Sequence, residues 1–574
     1  MDVRQWLLTH EERENPHTRI DAVRGDGTAW STGNRVRAIV HGRPYFEELH
    51  ERICGLGPGD RFYFADWQGD PDQLLTDDPR STLDSSLVDA VRRGAEVRGL
   101  LWRSHWHRLG FSAHRHRQLG EEIGEAGGQC LRDMRVRTRG AHHQKFVVIR
   151  HADDPSRDLA YVGGIDLCHG RRDDADHHGD RQVVELAKAY GPTPAWHDVQ
   201  VAVQGPAVHD VETTFRERWE DSTPLTVNPG RLLSSLFHRE DLVAEPLSPQ
   251  TAPPEPRPDG NDMVQIVRTF PVIRPKGFDF APEGERSVML SNTKAIAQAD
   301  RLVYVEDQYL WSEDVGEHFA AALRDKPDLR LVVVLPMVPD REGVLAEVPQ
   351  LYGRSRAMET IIEAGGDRVA VFGLCNDEGL PVYVHSKTCV IDHRWASVGS
   401  DNLNRRSWTG DSEIACTVVD ARGDMDEAAP ADAFPRVLLR TLVAEHLGCD
   451  PDDVPEDPHE LFDAMVASAD ALDEWYDGGE HDERSGIRGR LGGRLPHRLA
   501  PLPRSVATRV PGHHKRRERV LARAQRRAEA DGRPPGRLRR LAAPELTATQ
   551  LTWAPRLYNL LFDPDGRPDP GMGN

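Results

Sequence analysis

Long apolar runs are missing from this 574-residue chain: its most apolar stretch, Leu331–Val338 (LVVVLPMV), is far below the roughly 20 residues that span a bilayer. A membrane-spanning protein is therefore not expected. The first residues, MDVRQWLLTHEERENPHTRI, bring acids and a proline in soon after a very short apolar patch, so they lack the charged leader, apolar core and cleavage site of a secretory signal. Cysteine is scarce and scattered. Cys54, Cys130, Cys168, Cys375, Cys389, Cys416 and Cys449 are odd in number, and no two are close enough for a disulfide framework or a zinc knuckle. A cytoplasmic protein is the simple expectation. Positive charge is short as well: the formal net charge of −20 argues against nucleic acid as a partner, since that affinity rests largely on neutralising phosphates. The deficit is uneven, because Arg484 to Arg540 holds 18 Lys/Arg against 3 Asp/Glu, a local +15 that leaves −35 on the rest.

What is present is a soluble balance, 38% hydrophobic and 29% charged, in a chain long enough for several cores. Glu245–Asp262 (EPLSPQTAPPEPRPDGND) carries six prolines and no apolar periodicity, the composition of an extended linker. The same series of elements stands on each side of it. Arg61–Trp67 and Arg301–Tyr309 are apolar strands that begin at an arginine and turn acidic. Leu83, Leu87 and Val91, like Val315, Phe319 and Leu323, recur at helical spacing, and the buried-looking strands Val97–Trp102 and Leu329–Leu335 follow. Arg61 lies 82 residues before His143 and Arg301 lies 84 before His385, so the copies keep step. HHQKFVVIR leading to YVGGIDL, and VHSKTCVID leading to SVGSDNL, complete each copy as a hairpin.

The expected architecture is α/β: two similar α/β/α sandwich domains with mixed sheets, related by a pseudo-twofold axis, plus a C-terminal helical or irregular extension. Its expected divisions are 1–244, the linker 245–262, 263–420, and an acidic then arginine-rich segment over 421–574. The run HELFDAMVASADALDEWY looks helical. Two readings of the basic tail stand: a solvated helix paired with the acidic segment before it, or attraction to anionic lipid headgroups.

Residues two apart on a strand face the same way, so His385 and Lys387 of H-S-K-T-C-V-I-D point together, as do His143 and Lys145. Ser400 and Asn402 of GSDN follow in the second copy, and Gly164 and Asp166 take their places in the first. The glycines admit a neighbouring backbone. Asn402 adds donors.

These residues resemble the phospholipase D superfamily, whose signature is two H-x-K-x(4)-D motifs brought to one site. The resemblance runs from about Arg61 to Asp420 and is closest to phospholipases D of plant and animal type, on GGIDLCHGRRD, PAWHDVQVAVQGPAV, FRERW and VEDQYL in that order. It implies that one histidine attacks phosphorus and the other serves as acid and base, with His143 taken as nucleophile and the roles open to exchange. Lys145, Lys387 and Asn402 would hold the non-bridging oxygens. Asp411 would orient His143 and Asp173 would orient His385, each acid serving the other copy's histidine. No metal and no cofactor is implied. The substrate would be a glycerophospholipid, met at a phospholipid membrane surface. Only about sixty residues precede the resemblance, so the calcium- or phosphoinositide-binding lipid modules of eukaryotic enzymes are not expected.

One carboxylate of the signature is absent: the position of Asp392 is Arg150 in the first copy. Five residues beyond the lysine, that position faces away from it, so a structural role is expected in both copies, with Arg150 paired to Asp153 or Asp154. Glu306 and Gln308 are read as pocket-wall or plain strand-end residues. Trp67, Trp102, Trp106 and Trp311 line a headgroup pocket or belong to the core. The close pairs His105/His107, His114/His116, His177/His178 and His513/His514 are what 26 histidines produce by chance, and His197 is read as packing and hydrogen bonding. Rival functions are a nuclease, a cardiolipin-synthesising transferase and a non-catalytic lipid binder.

Overall fold

The computed structural model describes residues 2–103, 113–226, 240–274, 276–422, 429–477 and 534–567, with 232, 233, 235 and 237. Trp106, His105, His107, His513, His514 and all but the last seven residues of the basic run lie outside the described residues.

The first sheet holds β1 (Ser31–Val40), β2 (Arg61–Asp66), β3 (Glu96–Trp102), β4 (Gln129–Asp133), β5 (Phe146–Arg150) and β6 (Leu159–Gly163). A short β7 (Ala195–His197) precedes β8 (Val199–Gln204), which lies between β1 and β6. The order is β1–β8–β6–β5–β2–β3–β4, with β2, β3 and β4 parallel and the other neighbours antiparallel. Phe62 to Ala65 are apolar without alternation because both faces of β2 are covered, as is usual where helices flank a partly parallel sheet.

The second half comprises β9 (Asp262–Phe270), β10 (Glu285–Arg286), β11 (Leu302–Glu306), β12 (Arg330–Val334), β13 (Val369–Cys375), β14 (Pro381–Val384), β15 (Thr388–Ile391), β16 (Trp395–Gly399) and β17 (Glu413–Asp420). Its order, β9–β17–β16–β15–β11–β12–β13, repeats the first sheet strand for strand. The repeat corrects one detail. Arg61 faces Arg150, whereas the residue whose carbonyl meets the amide of Asp392 is Leu302, so Arg61 matches Leu302 and not Arg301, and Asp66 matches Asp307.

The halves are not separate bodies. β1 pairs with β9, and β7 runs parallel to β14 in the second sheet. Between the sheets lies one core that takes Tyr63, Val148 and Val201 from the first half and Tyr304, Val390 and Val418 from the second. Leu438 and Leu442 of the helix Phe434–Leu447 join it, so this part of the C-terminal extension belongs to the core. Separate outer cores sit under the helices of each half. Every residue of the helix Ala207–Trp219 is buried, and its charges are paired: Arg218 with Asp133, Glu217 with Arg268, and Glu212 with Arg216.

The proline-rich linker is extended but docked. Its amides at Glu245 and Ser248 donate to Gln129 and Glu96 at 2.8 and 3.2 Å. The acidic run forms the helix Pro458–Asp477, and β18 (Leu538–Arg540) adds to β13. There Arg539 and Arg540 meet Asp473 and Asp470 at 3.1 and 3.4 Å, so the end of the basic run pairs with the acidic helix.

Candidate active site

The two motifs reach the centre by matched crossings of the backbone. The amide of His143, ahead of β5, donates to Ser412 at 2.9 Å, and the amide of His385, after β14, donates to His197 at 2.8 Å. Ser412 and His197 are equivalent in the repeat, each one residue before an acid: Glu413, the first residue of β17, and Asp198, which immediately precedes β8.

Those two acids hold the histidines. His143 Nδ1 lies 3.0 Å from Glu413, and His385 Nδ1 lies 2.7 Å from Asp198. Each acid serves the other half's imidazole, as the resemblance implied, but the acids differ from those expected. Asp411 instead accepts the Ala141 amide at 2.8 Å and pairs with Arg406 at 2.7 Å, fixing the approach to the first motif. Asp173 accepts the amides of Trp196, Asp174 and Gly179 at 2.8, 2.9 and 3.0 Å, fixing the loop before β7. Both are buried backbone clamps.

The flanking small residues fit this geometry. A Cβ on Gly164 would stand 2.1 Å from Asp198 Oδ1, so the position requires glycine. In the second half the hydroxyl of Ser400 donates to Glu413 at 2.6 Å, a bond that orients the acid. Ser400 and Gly164 thus shape the orienting acids.

Both lysines fold back on their own motif: Lys145 Nζ donates to the His143 carbonyl at 3.0 Å, and Lys387 Nζ donates to that of His385. Lys145 also lies 3.4 Å from Asp166, and Lys387 lies 3.3 Å from Gln308, whose amide donates to Tyr383. Burial, reinforced by Lys145 and opposed by Asp198, brings the Lys387 ammonium down to about 8. Burial, with the charges of Lys387, Arg171 and Lys145, holds His385 well below the usual imidazole range. The two motifs therefore share one electrostatic neighbourhood. Asn402 is buried, and among the described residues its Oδ1 has no hydrogen-bond partner.

Asp66 was not foreseen. Burial and the neighbouring Asp166 raise its carboxyl well above the ordinary value, while Lys145 and Arg171 outweigh burial to lower Asp166. Asp66 accepts the Leu167 amide at 3.1 Å, and its equivalent Asp307 accepts the Leu403 amide at 2.9 Å, so each pins the strand end bearing Asp166 or Asn402. A shared one-residue register was the only trace of this in the sequence.

Two expectations change, those for Glu306 and for the partners of Arg150, while Asp392 faces away from the lysine as expected. Glu306 is no pocket wall: it is fully buried and accepts from His197, His446, Tyr304 and Ser386 at 2.6–2.8 Å. Arg150 pairs with Asp158 and Glu212 at 2.9 and 3.2 Å, not with Asp153 or Asp154, and donates to Thr251 and Ala252 of the linker. Asp392 accepts the amides of Asp300, Arg301 and Leu302 at 2.7–2.9 Å, away from the motif lysine. Trp67 stacks on Trp102 and presents its ring 6.3 Å from His143 and 6.0 Å from Lys145 Nζ, whereas Trp311 stacks on Tyr309.

Two imidazoles, each fixed at Nδ1 by a buried carboxylate and flanked by a lysine, can carry out nucleophilic and acid–base steps on an anionic centre. A family model described as "Phospholipase D" matches residues 121–314, and one described as "Cardiolipin synthase, PLD-like domain" matches 293–429. Phospholipase D alpha 1 of Cynara cardunculus is 28% identical over 56% of this chain and 51% of its own length. Phospholipase D1 of Saccharomyces cerevisiae is 25% identical over 77% of this chain and 31% of its own. The chain spans about half the length of the plant relatives it matches. Phosphatidylserine synthase from Haemophilus influenzae superposes with a TM-score of 0.45 at 13% identity, covering 71% of this chain and 84% of that one.

Proposed function

The chain belongs to the phospholipase D superfamily, and from that premise we propose that it cleaves glycerophospholipids to phosphatidic acid and a free headgroup alcohol through a phosphohistidine. The observation that carries this reading is the pair of crossed Nδ1–carboxylate contacts, Glu413 to His143 and Asp198 to His385. Each fixes the tautomer that leaves Nε2 for the reaction.

His143, the more exposed of the two at 15% against 6%, is the nucleophile. Its Nε2 forms a bond to phosphorus as the bond to the headgroup oxygen breaks, and His385 gives that oxygen a proton. Water then attacks the phosphohistidine, His385 takes its proton, and His143 is released with phosphatidic acid. An alcohol in place of water gives a phosphatidyl-alcohol by the same route. In the free site burial, reinforced by the cations around His385, disfavours its charged form. The negative phosphodiester, held by Lys145, Lys387 and Asn402, opposes that effect and makes His385 an acid when substrate is bound.

Among the described residues no helix is long and apolar enough to cross a membrane. Peripheral contact with lipid is assigned to exposed apolar residues such as Val344 and Leu345 and to the basic run.

The test is product analysis on mixed phosphatidylcholine and phosphatidylglycerol vesicles with ethanol present. Phosphatidic acid and phosphatidylethanol, both lost in His143→Ala and His385→Ala, are expected. Cardiolipin as the main product would assign the phosphatidyltransferase reading instead, which the second family model favours. No lipid product from folded protein would overturn both, and cleavage of single-stranded DNA would then assign a nuclease.

A further inference from the structure

At β7, just before Asp198, lies a cluster of three buried histidines and a partly buried glutamate that the proposed reaction does not use. We propose that His41, His177, His197 and Glu445 bind a divalent transition-metal ion, of which zinc is the type, as a closed structural site. The four come from distant parts of the chain: the end of β1, the loop after Asp173, β7 and the C-terminal helix Phe434–Leu447. One potential ligand atom from each lies within 4.8 Å of all the others. His41 Nε2, His177 Nε2 and His197 Nδ1 converge on the carboxylate of Glu445 at 2.7, 3.1 and 3.4 Å. Tetrahedral zinc with bonds of about 2.0–2.1 Å needs its ligand atoms about 3.3 Å apart, so small side-chain shifts close the site.

The second nitrogens of two of these histidines also point to a cation. The second nitrogen of His197 is held by Glu306 at 2.8 Å, and that of His177 faces Asp173 at 3.6 Å. A metal-bound imidazole is commonly backed by a carboxylate in this way. His197 meets a carboxylate at each ring nitrogen, Glu306 at Nε2 and Glu445 at Nδ1. A divalent ion bound at His197 Nδ1 would balance the two carboxylates on that ring, Glu306 and Glu445. Three imidazoles and one carboxylate suit zinc, cobalt or nickel over calcium or magnesium. Because the protein supplies all four ligands, the ion is a brace: it ties the C-terminal helix to β7, whose His197 carbonyl accepts the His385 amide at 2.8 Å.

The full-length protein, stripped with dipicolinate and titrated with zinc, is expected to bind one equivalent and to unfold at a higher temperature than the stripped form. Cobalt in its place is expected to give the visible absorption of a tetrahedral site. His41→Gln and Glu445→Gln are expected to weaken binding at least tenfold, while His178→Gln, at an exposed neighbour, leaves it unchanged. Anomalous scattering at the zinc edge from crystals of the unaltered protein gives a check that no variant's folding can confuse. An ion located anywhere else, zinc binding that survives His41→Gln and Glu445→Gln, or no bound zinc in the unaltered protein overturns the proposal, leaving the cluster as an ion-paired histidine network.

Discussion

At the scale of single residues, the two imidazoles are held by acids from the opposite halves, Glu413 at 3.0 Å from His143 and Asp198 at 2.7 Å from His385. His143 with Lys145 and His385 with Lys387 are local patterns, legible from spacing on a strand. Asp198 and Glu413 reach their imidazoles only because the two halves exchange backbone pairs at His197 and Ser412, a long-range event that no local window contains. The nearby acids Asp173 and Asp411 were therefore just as plausible in sequence. Kinetics separate them: Asp198→Asn and Glu413→Gln are expected to lower kcat by roughly 10²–10⁴-fold, the range that follows loss of a histidine-orienting acid. Asp411→Asn is expected to act on stability more than on kcat. Equal kcat losses in Asp411→Asn and Glu413→Gln would refute that division. Arg150 is also decided at this scale. Returning it to the aspartate of the family signature would place a third carboxylate beside buried Asp158 and Glu212. Arg150→Asp is expected to cost about 3–5 kcal/mol in urea unfolding and to gain no activity. An Arg150→Asp enzyme that is as stable and more active would show the arginine to be a defect.

At the scale of elements, the repeat of strand, helix and hairpin was legible because apolar period and turn residues are local signals. The strand register was not, and a one-residue slip hid the equivalence of Asp66 and Asp307. Nor did the sequence reveal how elements are stitched by buried charge. Arg13 before β1, Arg268 on β9 and Glu285 on β10 form such a stitch, with contacts of 3.1 Å from Arg13 and 2.6 Å from Arg268 to the carboxylate. Burial alone would raise Glu285, but Arg268 and Arg13 outweigh it and bring the carboxyl to about 2. A carboxyl lowered on folding contributes stability that is fully present above its ordinary value of 4.5 and is lost as pH falls toward about 2. Urea midpoints measured across that window are expected to fall steeply for the natural protein and less steeply for Glu285→Gln. Equal slopes would show that other groups govern the acid limb.

At the scale of the whole molecule, composition suggested two domains, a loose linker and an appended tail, and the packing joins all of them. β1 pairs with β9 and β7 with β14, while the linker meets Arg150, Glu96 and Gln129. The helix Phe434–Leu447 inserts Leu438 and Leu442 into the core shared by both sheets. Such sharing removes the usual reason for halves to unfold apart, which is a boundary crossed by few contacts. Calorimetry of the full chain is thus expected to show one transition whose calorimetric and van't Hoff enthalpies agree, the mark of two-state unfolding. A chain ending at residue 428 would bare the face that Leu438 and Leu442 cover. It is expected to be insoluble or to lose cooperative unfolding, because large apolar side chains contribute about 1.5–3 kcal/mol each when buried. Two separated transitions in the full chain, or a soluble and cooperative 1–428 fragment, would mean that the C-terminal helix only decorates a core that stands without it.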